Sequence, residues 1–70
     1  MRNLTIETSG YYVQITCNND ITLLKVWNLE DADQEQFRKD VQLAYSIYRT
    51  EEERLDFLKY NGYDIDIDAI

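Results

Sequence analysis

Hydrophobic and polar residues alternate along the first part of the chain. The segments LTIET and YYVQITC place apolar residues at every second position, and ITLLKVW continues the pattern. Alternation with a period of two is typical of strands that cover a core with one face. Ser9-Gly10 predicts a first hairpin turn, and the run NND predicts a second one with Asn19-Asp20 as its loop. The first half therefore predicts a three-stranded antiparallel meander.

These two turns also predict the register of the strands. A two-residue loop at Ser9-Gly10 places Ile6 opposite Val13, and a loop at Asn19-Asp20 places Leu24 opposite Ile15. Both registers collect the apolar residues of the three strands on one face of the sheet, which we expect to be the core face.

The hydrophobic period changes after the third predicted strand. Apolar residues then recur at helical spacing, which predicts a first helix over about residues 33 to 49. Asp33 followed by Gln36 resembles a capping box at its start. The expected packing stripe of this helix consists of Phe37, Val41, Ala44, Tyr45 and Tyr48.

A second helix is predicted immediately afterwards, from about Glu51 to Tyr60. Thr50 with Glu53 repeats the capping-box pattern, and Asn61-Gly62 is a typical C-terminal stop. This short helix has apolar residues on two sides, so it has more apolar surface than one packing face needs.

The end of the chain, YDIDIDAI, alternates again. It predicts a fourth strand that places Tyr63, Ile65 and Ile67 over the core and a row of aspartates outside. The alternative is a flexible tail that orders only on binding. The predicted fold class is thus α+β, with an antiparallel three-stranded meander and this fourth strand packed against two α-helices in one domain, residues 1–70.

Composition restricts the chemistry that this fold can support. The 70 residues include one cysteine and no histidine, which excludes an internal disulfide and a cysteine- or histidine-based zinc site. A nucleophile would lack its usual histidine base, so we expect no enzymatic activity and no cofactor. Neither a signal peptide nor a run of about 20 apolar residues is present, so we expect a soluble, cytoplasmic protein.

The aspartates of the last segment also match part of a calcium-binding loop. Asp64, Asp66 and Asp68 have the spacing of the first three EF-hand ligands, but the glycine position holds Ala69 and the chain ends before the glutamate. On one face of a strand these carboxylates would be about 6.8 Å apart, twice the rise per residue, and could not converge on one ion. We therefore expect no metal site.

Charge is distributed unevenly along the chain. The first 29 residues carry two acids and two bases, whereas the remainder carries twelve acids and five bases, which gives the whole formal charge of -7. Nucleic acids and anionic membranes are disfavoured as direct partners because both are polyanions. A basic protein partner is expected instead. The alternative is that the acidic surface serves solubility alone.

Two kinds of residue are candidates for binding such a partner. The aromatic candidates are Tyr12 and Trp27, which the predicted register places on the sheet face opposite the core, where such side chains often act as interface anchors. The alternative is that the C-terminal segment or a second copy of the chain covers them. The acidic candidates are Glu30, Asp31, Asp33 and Glu35 at the first helix start, Glu51, Glu52, Glu53 and Asp56 in the second helix, and Asp64, Asp66 and Asp68 at the end.

In its size, its acidity and its order of strands followed by helices, the chain resembles the small phage-encoded anti-defence proteins of the anti-CRISPR and anti-restriction type that act as DNA mimics. The resemblance concerns the overall plan, and no residue roles are carried over from it. It implies an inhibitor that occupies the basic nucleic-acid-binding site of a partner such as a nuclease. The alternative is a small structural or regulatory module that homodimerises or adds a strand to a partner's sheet.

Overall fold

The computed structural model describes residues 3–67, which form a four-stranded sheet and two helices. The strands are β1 Leu4–Ser9, β2 Tyr12–Cys17, β3 Asp20–Val26 and β4 Ile65–Ile67, and the helices are α1 Gln34–Ile47 and α2 Glu51–Tyr60. The strands are antiparallel and lie in the order β1-β2-β3-β4. The predicted α+β class and the fourth strand are confirmed.

Each hairpin loop differs by one residue from its predicted position. The first loop is Gly10-Tyr11, with Gly10 at a φ of 62°, which is the glycine position of a type II′ turn. The second loop is Asn18-Asn19, and both asparagines have positive φ, as a type I′ turn requires. The residues that tolerate positive φ therefore determine where each hairpin turns.

These loop positions correct the predicted strand pairs. Ile6 lies opposite Ile15 and Val13 lies opposite Leu24, so each predicted partner was wrong by two residues. A shift of two residues leaves every side chain on its original face, because side chains alternate along a strand. The predicted core face of the sheet is therefore confirmed although its register was wrong.

The core lies between this face of the sheet and the two helices. Cα atoms of α1 and α2 contact each other, and α2 also contacts β4. The opposite face of the sheet carries exposed side chains. The buried apolar residues are Ile6, Val13, Ile15, Leu24, Val26 and Ile65 from the sheet, Phe37, Val41, Ala44 and Tyr45 from α1, and Leu58 from α2.

The predicted capping box of the first helix is wrong. Asp33 ends a 3-10 turn, Asp31–Asp33, and its side chain makes no capping hydrogen bond. Its φ of -96° and ψ of -3° are helical rather than the extended values typical of an N-cap residue. Gln36 donates from Nε2 to Asp40 Oδ1 at 3.1 Å instead of reaching back. Helix α1 is also two residues shorter at its C-terminus than predicted.

The second helix begins and ends as predicted. Thr50 is extended, its Oγ1 accepts from the Glu53 backbone N–H at 3.3 Å, and it donates to Glu53 Oε1 at 2.8 Å. At the other end Gly62 has a φ of 99°, and its N–H donates to the Lys59 carbonyl. The N–H of Tyr63 donates to the Leu58 carbonyl, which completes a Schellman motif.

Asn28 connects this helix end to the sheet. Its Nδ2 donates to the Gly62 carbonyl at 2.9 Å, and its Oδ1 accepts from the backbone N–H of Asp64 at 2.9 Å. The backbone N–H of Trp27 donates to the Asp64 carbonyl at 2.8 Å. The segment that leads into β4 is thus held by the residues that follow β3.

Only part of the predicted packing of the last segment is observed. Ile65 is buried and Tyr63 is half-buried against the core. Ile67 is 49% exposed, so its predicted place over the core is wrong. It ends an edge strand and has a sheet neighbour, Leu24, on one side only.

Candidate protein-binding surface

The acidic candidates lie on the surface of the described part of the molecule. Ten of the eleven lie within the described residues, and all ten are exposed. Asp68 lies outside the described residues. Acids are favoured in the first turn of a helix because they interact with the positive end of its dipole. They stay exposed because the apolar stripe of the helix faces the core.

Several cationic side chains, by contrast, contact the protein's own groups, whereas Arg49 and Lys59 are exposed. Arg38 donates from Nη1 to the backbone carbonyl of Ile6. The guanidinium carbon of Arg54 lies 4.0 Å from the ring centroid of Tyr45. Lys39 lies 3.8 Å from Glu35 in an exposed pair, an arrangement that contributes little stability. Two arginines are therefore used within the fold, and the exposed acids dominate the surface charge of the second half of the chain.

An acidic groove separates the start of α1 from the turn between α2 and β4. The Tyr63 hydroxyl donates to Asp40 Oδ2 at 2.6 Å inside this groove. Burial, this hydrogen bond and the negative charges of Asp40 and Asp33 raise the pKa of Tyr63 well above its ordinary value, so the phenol is neutral. The groove has a volume of about 390 Å³ and is lined by Asn28, Asp33, Gln36, Asp40, Asn61, Gly62 and Tyr63.

A second groove combines aromatic rings with carboxylates, and we call it the aromatic-acidic groove. It has a volume of about 520 Å³ and is lined by Tyr48, Glu53, Asp56, Phe57, Tyr60 and Asn61. The ring centroids of Tyr48 and Phe57 are 5.6 Å apart. Tyr48 was predicted on the packing stripe of α1, but it follows the last residue of that helix and is half-buried.

The two grooves bring together only some of the predicted acids. Asp33 lines the first groove, Glu53 and Asp56 line the second, and Asn61 lines both. The other exposed candidates line neither of these two grooves: Glu30, Asp31, Glu35, Glu51, Glu52, Asp64 and Asp66.

The outer face of the sheet carries an aromatic cluster. Tyr12 is 46% exposed and Trp27 is 47% exposed, in agreement with their predicted side of the sheet. Tyr11 contacts both, with ring centroids 4.8 Å from each. The Lys25 Nζ lies 5.5 Å from the Tyr12 ring centroid and 5.6 Å from that of Trp27. Trp27 also donates from Nε1 to Asp66 Oδ2 at 2.8 Å, which joins the cluster to the acidic edge strand.

Tyr12 and Trp27 are only partly covered by the rest of the chain. Strand β4 reaches Trp27 through Asp66, yet Tyr12 and Trp27 each keep about half of their residue surface exposed in the single chain. Exposed tyrosine and tryptophan side chains are favourable contact groups, because each combines a large rigid apolar surface with a polar tip. The cluster is therefore available to a partner protein or to a second copy of the chain.

The residues of these sites that the sequence did not predict as binding candidates include Tyr11, Asp40 and Tyr60. Tyr11 is adjacent to Tyr12 and lies in the hairpin loop, so a correct loop assignment would have drawn attention to it. The spacing of Asp40 and Gln36, four residues apart on one helix face, can be read from the sequence. The hydrogen bond between Asp40 and Tyr63 joins residues 23 positions apart, so no local sequence pattern predicts it. Tyr60 is one of the apolar residues of α2 beyond a single packing face, a pattern that does not by itself indicate a groove.

Over residues 3–67, no group of three or more Asp, Glu, Cys or His side chains is placed to hold a metal ion. In the same part of the chain, neither helix is long and apolar enough to cross a membrane.

The fold and the two kinds of surface define a small α+β protein with an exposed acidic surface and an uncovered aromatic cluster on its sheet. Comparisons of the chain with protein-family models, with curated proteins and with solved structures found no match. Charge, exposure and side-chain contacts are therefore the observations that bear on its function.

Proposed function

We propose that this protein is a non-enzymatic, cytoplasmic inhibitor that occupies the basic nucleic-acid-binding site of another protein, such as a nuclease. Its carboxylates would take the place of nucleic-acid phosphates, as in the anti-CRISPR and anti-restriction DNA mimics that it resembles. The observation that supports this most strongly is the exposure of all ten described acidic candidates, together with the use of Arg38 and Arg54 within the fold.

The dimensions of the molecule suit a groove built for duplex DNA. Its longest principal extent is 28 Å. A duplex of that length spans about eight base pairs and carries about 16 phosphates, given one charge per roughly 1.7 Å of axis. The chain carries 14 acids and a net charge of -7, which is about half of that charge. A protein that contacts one side of a duplex meets a similar fraction of its phosphates.

The aromatic cluster adds a contribution that phosphate mimicry lacks. Charge attraction between exposed groups is screened by salt over about 8 Å at physiological ionic strength. Burial of apolar ring surface is not screened in this way, and buried aromatic anchors often dominate interface energies. We therefore assign Tyr12 and Trp27 to salt-resistant contacts and the carboxylates to salt-sensitive ones.

Affinity capture from a host lysate followed by competition tests the proposed function. We expect the protein to retain a nucleic-acid-binding protein that is released by salt and displaced by duplex DNA. Capture of only its own copies or of acidic proteins would contradict the proposal.

A matched pair of variants makes this test quantitative. Glu30→Gln/Asp31→Asn removes two candidate charges, and Glu7→Gln/Asp20→Asn removes two exposed charges outside the candidate set. With about 0.2–1 kcal/mol per exposed ion pair, the first variant should weaken binding to the captured partner by about 0.4–2 kcal/mol. The second variant should weaken it by less than the first, and equal losses would show that net charge alone is recognised.

The exposed aromatic cluster supports homodimerisation as a second candidate function. Pairing through β1, the long edge strand, is less favoured, because the Ile6 carbonyl already accepts a hydrogen bond from Arg38. If two copies of the chain pair through the aromatic cluster, the isolated protein should have twice the monomer mass of 8.4 kDa even without a partner. Native mass measurement of the isolated protein distinguishes this candidate from the first.

A further inference from the structure

We propose that the aromatic-acidic groove binds an arginine side chain of the partner protein. This inference rests on the proposed function, since a basic nucleic-acid-binding site is what supplies the arginine. It assigns a chemical specificity to one part of the acidic surface.

The groove is built largely from one face of α2. Glu53, Asp56, Phe57 and Tyr60 follow one another at the i, i+3, i+4 and i+7 positions, which share a side of a helix. Tyr48, directly after α1, supplies a ring from the neighbouring element. Three aromatic rings and two carboxylates therefore line one open groove.

This combination of groups matches a guanidinium better than an ammonium. A guanidinium is planar, stacks on aromatic faces and donates in a fork to carboxylates, whereas an ammonium is a compact and strongly hydrated point charge. The protein already uses this chemistry internally, where Arg54 lies over the Tyr45 ring and donates from Nε to the Tyr48 carbonyl at 3.1 Å.

Two further observations support a binding role for this face. Tyr60 is 82% exposed, so core packing does not explain an aromatic residue at this position. Glu53 is held by the Thr50 hydroxyl at 2.8 Å, which fixes its carboxylate at the edge of the groove before any ligand arrives. A fixed carboxylate beside an exposed ring reduces the entropy lost when a cation binds.

The test is an NMR titration of the ¹⁵N-labelled full chain with Nα-acetylargininamide at low salt. We expect saturable shifts centred on the amides of Asp56, Phe57 and Tyr60. Tyr60→Ala and Asp56→Asn should each raise the Kd about threefold, the size of one exposed cation-π contact or ion pair. Both side chains are exposed, so the variants should keep the fold. The matched control is Glu7→Gln, which removes one exposed charge outside both the groove and the acidic candidates and should leave the Kd within experimental error.

Three results would overturn the assignment: no saturable shifts, an equal loss in Glu7→Gln, or equally tight binding of Nα-acetyllysinamide. The test also separates this inference from the proposed function. If the captured partner binds Tyr60→Ala and Asp56→Asn as tightly as the unmodified protein, the arginine site is wrong and mimicry stands. If Nα-acetylargininamide binds as expected but no basic partner is captured, the site stands and mimicry is wrong.

Discussion

Asn28 is the residue whose replacement should reveal how the acidic edge strand is held in place. Its side chain makes two hydrogen bonds, one to the Gly62 carbonyl and one from the Asp64 backbone N–H, both at 2.9 Å. Because these groups are exposed, each bond should contribute about 0.5–1 kcal/mol, toward the lower end of the usual range. Asn28→Ala should therefore lower the free energy of unfolding by about 1–2 kcal/mol, which corresponds to a decrease in Tm of about 4–16 °C for a domain of this size.

Urea unfolding followed by circular dichroism measures this loss, and amide hydrogen exchange locates it. We expect the largest increase in exchange at Asp64 and Asp66, because the Asp64 N–H loses its acceptor and the Asp66 N–H lies on the same side of the strand, facing β3. Asn28→Asp is the matched variant, because it keeps the acceptor for the Asp64 N–H and loses the donor to Gly62. Its second carboxylate oxygen then faces the Gly62 carbonyl oxygen, so it should be destabilised by at least the value of one lost hydrogen bond, about 0.5–1 kcal/mol. A stability change below about 0.3 kcal/mol in Asn28→Ala, or unchanged exchange in β4, would refute this account of how the strand is held.

Three further predictions concern the core, the acidic groove and the aromatic cluster. Phe37→Ala, at a side chain with no exposed surface, should cost about 3–5 kcal/mol, measured by chemical unfolding, and a cost below about 1 kcal/mol would contradict its central place in the core. Burial and the Asp40 contact raise the pKa of Tyr63, so the unfolded chain loses this proton first and stability should fall as pH rises above about 10. Tyr63→Phe should reduce that fall, and an identical pH profile would exclude Tyr63 as its source. Trp27→Ala should weaken binding to the captured partner by about 2 kcal/mol and should also lower the free energy of unfolding by about 1–3 kcal/mol, because the Tyr11 stack and the Asp66 hydrogen bond are lost; unchanged affinity of the folded variant would remove Trp27 from the interface.

Local signals account for the parts of the fold that the sequence predicted well. The ends of α2 depend on Thr50 and on Asn61-Gly62, whose capping interactions span only a few residues. The core face of the sheet depends on alternation, which survives a shift of two residues in register. Both features are therefore readable without knowledge of the tertiary structure.

Features that depend on backbone conformation or on distant residues could not be predicted in the same way. The hairpin loops are set by positive φ at Gly10 and at Asn18-Asn19, and the sequence offered more than one pair of suitable residues for each turn. Asp33 has a favourable residue type for an N-cap but lies in a 3-10 turn with helical backbone angles.

The candidate surfaces likewise combine features that the local sequence predicts with features that depend on distant residues. The exposure of the acids follows from their polarity and position in sequence, and the exposure of Tyr12 and Trp27 follows from strand alternation. The bond between Trp27 and Asp66 joins residues 39 positions apart, and the aromatic-acidic groove needs Tyr48 from one helix end beside a face of α2. Such juxtapositions are products of tertiary packing, and no local pattern encodes them.

Competition with duplex DNA for a single site on the captured partner tests the central claim most directly. The partner is held at a fixed concentration, and the fluorescence anisotropy of the labelled protein is followed at increasing concentrations of duplex DNA. DNA mimicry predicts complete displacement, with an apparent Kd for the protein that rises linearly with DNA concentration. A stable complex that contains the protein, the partner and DNA together would contradict it.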